Sequence, residues 1–375
     1  MSKIISIGTA VPRYQHNQQG IREFMQRIYA FNEADRRKLK FLYAQSAIET
    51  RYSAIADYSL SLPEWTFYPA SENLEPFPSL EKRMEHFERY AAPLSVNAIR
   101  NCLDNLSGKE PITHLITASC TGMSAPGLDL EIMDLMGLPD NINRTSVNFM
   151  GCYAAIHALK MADAICNSSP ASRVMIVCTE LCTLHFQREA TPDNITSSLL
   201  FGDGSAAALV TGRDDPSKGL HLNSFYSEVI RKGKKDMSWG LSSTGFQMTL
   251  SAYIPQLIEA DFESLVGRSL KAAAVEKEEI NHWCIHPGGK KILEAIQTSL
   301  HLAQSALSES YEVLKQYGNM SSPTLLFVLD RIMKTLAAEE SEKSDSHGGG
   351  SKQTIFGAAF GPGLTMETFI ASYAG

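Results

Sequence analysis

Short β-rich runs alternate with stretches of helical periodicity through most of the chain, and this alternation restricts the fold more than any other feature. The runs are "ITHLITAS" (112–119), "SRVMIVCTEL" (172–181), "SSLLFGDGSAAALVTG" (197–212) and "GLHLNSFYSEVI" (219–230). The last third does the same with "INHWCIHPGG" (280–289), "SPTLLFVLD" (322–330) and "QTIFGAAFGPGLTMETFIAS" (353–372). Such alternation predicts α/β layers, with each of these runs read as a buried strand. Each part of the chain carries its own set of strands, so two similar halves are expected, 1–215 and 216–375, divided near "GRDDPSKG" (212–219), although no sequence repeat is visible. Ahead of the first run, residues 22–108 are polar with apolar residues three and four apart, which predicts surface helices decorating the core. The acidic and then Ser/Gly-rich stretch 338–353 reads as a flexible loop.

Composition narrows the functional classes. A chain of 375 residues with 44% hydrophobic and 20% charged content can bury one large core or two fused ones. A net charge of −7 without a Lys/Arg-rich run leaves no footprint for nucleic acid or an anionic membrane. No apolar stretch reaches the ~18 residues that span a bilayer, so no integral membrane association is expected. The seven cysteines are scattered in apolar contexts, as for reduced thiols in a cytoplasmic protein. None falls in a CxxC pair or a zinc-like cluster, so no metal is expected. The amino terminus "MSKIISIGTAVP" reads as a strand and not as a secretory segment.

Three polar residues stand at element ends. Cys152 follows Gly151 and opens "YAAIHALKMADAICN", where Ile156, Leu159, Ala162, Ala164 and Cys166 keep one apolar face of a helix. Free amide donors at a helix start favour a thiolate, and Gly151 permits the tight turn that exposes it. A buried cysteine alone is more often a small hydrophobe. His286 ends an apolar run just before Pro287, Gly288 and Gly289, and Asn319 follows Gly318 before the expected strand at 322–330. Cys, His and Asn together can build an activated nucleophile with an oxyanion site. A papain-like protease uses the same trio at similar spacing. No C-G-S-C-W-like run is present and the cysteine lies deep in the chain, which argues against that class.

The motifs "GCYAA" around Cys152, "LLFGDGSAAALV" around Phe201, "WCIHPGG" around His286, "YGNMSS" around Asn319 and "FGPGLTMET" from Phe360 resemble, in order, those of the type III polyketide synthases, the chalcone and stilbene synthase family. The resemblance runs from about residue 3 to 373, and the "SCTG" stretch at Cys120 is similar to the microbial branch. It implies a thiolase-like αβαβα layered fold with two pseudo-equivalent halves, a homodimer, and iterative condensation of malonyl-CoA onto an acyl-CoA starter, with coenzyme A thioesters as substrates and no resident cofactor. Cys152 would carry the starter as a thioester, while His286 and Asn319 would donate to the malonyl thioester carbonyl as carbon dioxide leaves. Phe201 resembles the gatekeeper between CoA tunnel and active site. Ser321 and the loop of Gly361, Pro362 and Gly363 would shape the pocket in which the product cyclises to a pyrone, resorcinol or phloroglucinol.

The chain also departs from the plant pattern. Cys120 stands where chalcone synthases carry Thr, Ala125 where they carry Met, His185 where a pocket Thr is expected, Trp239 in place of a cavity Gly, and Met248 in place of a second gatekeeper Phe. A Trp for a Gly reshapes the pocket, and the resemblance then implies a fatty or small acyl starter over an aromatic one. Of three basic CoA-binding positions only Lys38 is matched, Phe41 and Gln45 replacing the others. Lys40, Lys290 and Lys291 are candidates to supply the missing charge. The alternatives are a single-round ketoacyl synthase of the same fold and a non-catalytic acyl-CoA-binding protein.

Overall fold

The computed structural model describes residues 2–71, 73–106, 108, 110–212, 214–251, 253–344 and 352–373. The first part of the chain runs β1 (Lys3–Ala10), β2 (Tyr14–Asn17), α1 (Gln18–Tyr29), α2 (Glu33–Ala44), β3 (Thr50–Ser53), α3 (Leu80–Asp104), β4 (His114–Ser119), α4 (Leu128–Met136), β5 (Asn143–Asn148), α5 (Ala154–Ser168), β6 (Arg173–Leu181), α6 (Pro192–Leu200) and β7 (Asp203–Thr211). The second runs β8 (Leu220–Val229), β9 (Met237–Ser242), β10 (Gly245–Leu250), α7 (Ile254–Ala273), β11 (His282–Ile285), α8 (Lys290–Leu300), α9 (Ser308–Tyr317), α10 (Pro323–Ser344), β12 (Gln353–Gly361) and β13 (Thr365–Tyr373).

The long strands join in the order β11-β12-β13-β8-β1-β7-β6-β4-β5. This order reads the same from its centre outward. On one side β1 pairs antiparallel with β7, β7 antiparallel with β6, and β6 parallel with β4. On the other β8 pairs antiparallel with β13, β13 antiparallel with β12, and β12 parallel with β11. Within the sheet, β1 of the first half pairs with β8 of the second through Lys3↔His221 and Ile4↔Leu220. The pseudo-equivalence therefore lies in topology, which a duplicated fold retains after its sequences diverge. In the first half the edge strand β5 leads into α5. In the second, the matching place before α10 holds no strand, only Asn319 in an isolated parallel bridge to Phe201.

Helices α5 and α10 form the inner layer. α5 packs on β4, β6 and β7, and α10 on β1, β7 and β11. Ala154, Ala155, Ile156, Ala158, Leu159 and Ala162 are fully buried on α5, the small side chains allowing close approach to the sheet, whereas Ala164 is exposed.

Three expectations are corrected. The run "SPTLLFVLD" is the start of α10 and not a strand, because a helix buried on all sides is apolar all round and loses its periodicity. Leu325, Leu326, Val328 and Leu329 are each fully buried there, and Pro323 sits at the helix start where its missing N–H costs nothing. Residues 338–344 continue that helix; the rest of the expected loop, 345–351, lies outside the described residues. Helix α3 is no decoration either: Ala91, Ala98, Ile99 and Cys102 bury one face against β1, β6 and β7.

Candidate active site

The turns that carry Cys120, Cys152, Ser321 and Pro362 converge on one cavity, whose lining includes neither His286 nor Asn319. The Cys152 turn follows β5, where Phe149 and Gly151 both take positive φ (59° and 78°) and a single 3-10 turn, Gly151–Tyr153, feeds α5. Glycine is required at 151 on two counts, since a Cβ there would also lie 2.2 Å from Pro362 Cδ. The Gly151 N–H donates to Cys120 Sγ at 3.0 Å, tying this turn to the end of β4. Cys152 is half-buried, with Ser321 beside it in the cavity lining, and the Ser321 and Asn319 side chains favour its thiolate. The helix start does not lower its thiol: burial pushes it up to about 12, the nearby Glu180 carboxylate adds to the rise, and the Ser321 and Asn319 side chains only partly offset it.

His286 leaves the end of β11 with its backbone N–H on Ala358 O at 2.9 Å. Its ring is 3% exposed and neither ring nitrogen has a protein partner. Burial pushes its pKa down to about 3. Burial disfavours either charge and so favours a thiol and a neutral imidazole, not the expected resting thiolate.

Asn319 is fixed from both sides. Its N–H donates to Leu200 O at 2.9 Å and its carbonyl accepts from Gly202 N at 3.0 Å. The side-chain oxygen accepts from Ser321 N at 2.8 Å, and the amide nitrogen donates to Gly288 O at 3.3 Å. The amide thus binds the turn that carries His286 while reaching Cys152, which brings the three expected residues into one group. Ser321 holds a positive φ of 60° beside it.

The cavity beside Cys152 takes in about 940 Å³ of space, open solvent at its mouth included. Of the expected pocket residues, Cys120, His185, Phe201, Trp239, Met248, Ser321 and Pro362 line it. Gly361 and Gly363 shape it through the backbone: a Cβ on Gly361 would meet the Tyr153 ring at 2.4 Å, and Gly363 turns at φ 77° with its N–H on Met237 O. Ala125 is exposed and lines nothing here.

One wall is a rigid aromatic group. The His185 ring stacks on Phe246 at 4.3 Å, and Trp239 stands edge-on to both at 5.7 and 5.8 Å. His185 Nε2 donates to Thr121 O at 2.7 Å and its Nδ1 accepts from Phe246 N at 3.0 Å, which fixes a neutral tautomer. Burial pushes its pKa down to about 3. Trp239 Nε1 donates to Cys120 O at 2.7 Å, and Trp239 pairs with Met248 across the β9–β10 hairpin.

Much of the remaining lining was not anticipated from the sequence. Elsewhere in the lining, Ile21 and Met25 of α1, Tyr58, Phe186 and Met237 are apolar, and Ser197 of α6 and Arg51 of β3 are among the polar members. Glu180 was also missed. Its buried carboxylate accepts from Cys120 N, Thr121 Oγ1 and Ser322 Oγ at 2.8–2.9 Å, and burial pushes its pKa up to about 7.

The four lysines are not brought together. Lys38 and Lys40 are exposed on α2, Lys291 is exposed on α8, and half-buried Lys290 pairs with Glu294 at 3.5 Å. None of them lines the cavity. Among the described residues no group of three or more His, Cys, Asp or Glu side chains could hold a metal ion, and no helix is long and apolar enough to cross a membrane.

Comparison with known proteins gives relatives along the whole chain. The family described as "Chalcone and stilbene synthases" matches over its N-terminal domain at residues 1–216 and over its C-terminal domain at 221–373. The chain is 30% identical to "Alpha-pyrone synthesis polyketide synthase-like Pks18" of Mycobacterium tuberculosis, covering 97% of this chain and 89% of that one. It is 29% identical to "Probable polyketide synthase 1" of Dictyostelium discoideum over 98% of its own length but spans only 11% of that larger protein. Among solved structures, PKS-I of the brown alga Ectocarpus siliculosus superposes with a TM-score of 0.91 at 26% identity, covering 99% and 98% of the two chains.

Proposed function

The chain belongs to the chalcone and stilbene synthase family and, as a type III polyketide synthase, is a malonyl-CoA-dependent acyltransferase; from this premise we propose that it condenses malonyl units iteratively onto an aliphatic acyl starter held on Cys152. The observation that carries this reading is Cys152 and Ser321 on the wall of an apolar cavity, with Asn319 hydrogen-bonded both to Ser321 and to the His286 turn.

In the proposed cycle the starter thioester enters past Phe201 and His286 takes the Cys152 proton on a ring nitrogen that has no other partner. The sulfur attacks the thioester carbonyl, the bond to the coenzyme A sulfur breaks, and coenzyme A leaves as its thiol with the proton from His286. Malonyl-CoA then binds with its thioester carbonyl against His286 and the Asn319 amide, whose hydrogen bonds stabilise the enolate formed as carbon dioxide departs. The enolate carbon attacks the Cys152 thioester carbonyl, the carbon–sulfur bond breaks to release the Cys152 thiolate, and the chain, two carbons longer, is left on coenzyme A; the thiolate takes it back for the next round as coenzyme A departs.

The starter class is argued from the walls. Trp239 and the stacked His185 and Phe246 rings narrow one side, while Ile21, Met25, Phe186 and Met248 offer an apolar lining for a flexible chain. Closure of the product as a pyrone, resorcinol or phloroglucinol follows in the same pocket, and a pyrone agrees with the name of the mycobacterial relative. The edge position of β5, whose residues Asn143–Ser146 are exposed, and the exposed Met123 and Leu135 nearby support a homodimer built across that edge. Seven free cysteines suit the cytoplasm.

Incubation with malonyl-CoA and a series of acyl-CoA starters, from acetyl to long-chain and aromatic, tests the proposal by product mass. Cyclic products two or more malonyl units longer than an aliphatic starter are expected; release of a β-ketoacyl thioester after one round would overturn it.

A further inference from the structure

Arg51 is a buried cation that the proposed cycle does not use. It is 3% exposed, lies on β3, and forms part of the cavity wall. Two of its three nitrogens are engaged: Nη1 donates to Phe201 O at 2.5 Å and Nε to Gln18 Oε1 at 3.0 Å, while Nη2 has no protein partner. Gln18 in turn donates to Leu199 O at 2.9 Å, so Arg51 and Gln18 together hold the carbonyls on both sides of Leu200. Leu200 O is the acceptor of the Asn319 N–H, and Gly202 N, one residue past Phe201, donates to the Asn319 carbonyl.

The arginine stem touches the other half of the fold as well. A Cβ on Gly318 would lie 2.8 Å from Arg51 Cδ, and a Cβ on Gly202 would lie 3.5 Å from Arg51 Cβ. Both neighbours are glycines, so the stem packs directly against the backbone before Asn319 and after Phe201. The Phe201↔Asn319 bridge is the point where the gate from the first half and the amide from the second half are joined. One side chain braces that bridge by hydrogen bond on one strand and by packing on the other.

A full positive charge in this position is costly to bury. Burial works against the guanidinium charge, while Tyr43, Tyr58 and the Asp203 carboxyl favour it. Folding alone could have filled the space with an aliphatic side chain, which would leave Phe201 O unpaired but remove the charge.

We propose that Arg51 is a positioning residue for the condensation reaction, setting the Phe201 gate and the Asn319 amide at fixed places relative to each other and to Cys152. The proposal rests on the roles given above to Phe201 and Asn319. Its consequence is specific. Loss of the brace displaces the enolate-stabilising donor and loosens the gate, so decarboxylation slows and water reaches the Cys152 thioester. A misplacement near 1 Å costs up to ~100-fold in rate.

The test compares wild type, Arg51→Met, Arg51→Lys and Gln18→Leu. For each, the kcat and KM for malonyl-CoA decarboxylation are measured per folded enzyme, together with the ratio of free starter acid to condensed product. Arg51→Met should lower kcat by about 10- to 100-fold with KM little changed and raise the free-acid fraction. Arg51→Lys, which can still donate one bond to Phe201 O, should recover most of the rate, and Gln18→Leu should fall between. If Arg51→Met does not fold, the other two variants carry the same expectation at smaller size. Wild-type kcat and product ratio in the soluble variants, with only a lowered melting temperature, would show a structural arginine and overturn the proposal. A wild-type enzyme that does not decarboxylate malonyl-CoA would instead overturn the functional reading on which it rests.

Discussion

Truncation of Trp239 to alanine should widen the starter pocket and shift its preference, and the size of the shift can be worked from the contacts. The indole stands edge-on to His185 and Phe246 and donates its only polar hydrogen to Cys120 O. Removing it leaves that carbonyl to find water in the enlarged cavity, at about 1–3 kcal/mol if it does not. Truncating a fully buried aromatic costs about 3–5 kcal/mol; Trp239 is half-buried, so the lower end applies and the variant stays folded. Against this, each starter methylene newly sheltered from water gains about 0.8 kcal/mol, roughly fourfold in kcat/KM. Two further methylenes, or a wider chain end, therefore gain about 15-fold relative to the wild-type optimum. The assay is competition among acyl-CoAs from acetyl to palmitoyl at fixed malonyl-CoA, scored by product mass. An unchanged rank order in a folded Trp239→Ala enzyme would show that the indole does not bound the starter, and the argument from the cavity walls would fail.

Gly151→Ala forces a side chain into positive φ and against Pro362, so it should cost about 1–2 kcal/mol of stability and, by moving Cys152, lower starter loading by ~100-fold; a loading rate within twofold of wild type refutes the glycine requirement. His185 is held neutral with a pKa of about 3 against 6.5 in the unfolded chain. The unfolded state therefore takes up this proton first, so the stability His185 confers is intact above pH 6.5 and is lost as pH falls toward 3, by up to about 5 kcal/mol. Urea midpoints measured from pH 7 to pH 4 should show the gap between wild type and His185→Gln narrowing steadily, and a constant gap contradicts the buried neutral ring. Lys290→Glu with Lys291→Glu should raise the KM for malonyl-CoA if these residues at the start of α8 meet the coenzyme A phosphates; an unchanged KM removes them from that role.

The sequence made the strands of the core legible because their residues are apolar on both faces, as buried layers demand. The same property misled at 322–330, where α10 is apolar on every side and its period disappears. Gly151 and Cys152 were readable together, since a glycine before a helix of alanines signals a tight exposed turn. The acidity of the thiol was not, because it depends on depth of burial and on Glu180, which arrives from a strand 28 residues further along the chain. Asn319 could be named from its motif, but its bridge to Phe201 could not, as nothing local records which half of the chain it will meet. Arg51 and the apolar wall of Ile21 and Met25 were missed for a related reason. They lie in the stretch of helical and polar character before the first core strands, where a surface residue and a cavity residue look alike until the packing is known.

The central claim is that Cys152 carries the growing chain while His286 and Asn319 promote decarboxylation. Intact-protein mass spectrometry after mixing with a medium-chain acyl-CoA, followed by a malonyl-CoA chase, tests it directly. The predicted result is one acyl adduct on wild type that maps to Cys152 and disappears on the chase into extended product, with Cys152→Ala showing no adduct yet still releasing carbon dioxide from malonyl-CoA. An adduct retained in Cys152→Ala, or mapping to Cys120 or Cys182 in the wild type, would contradict it.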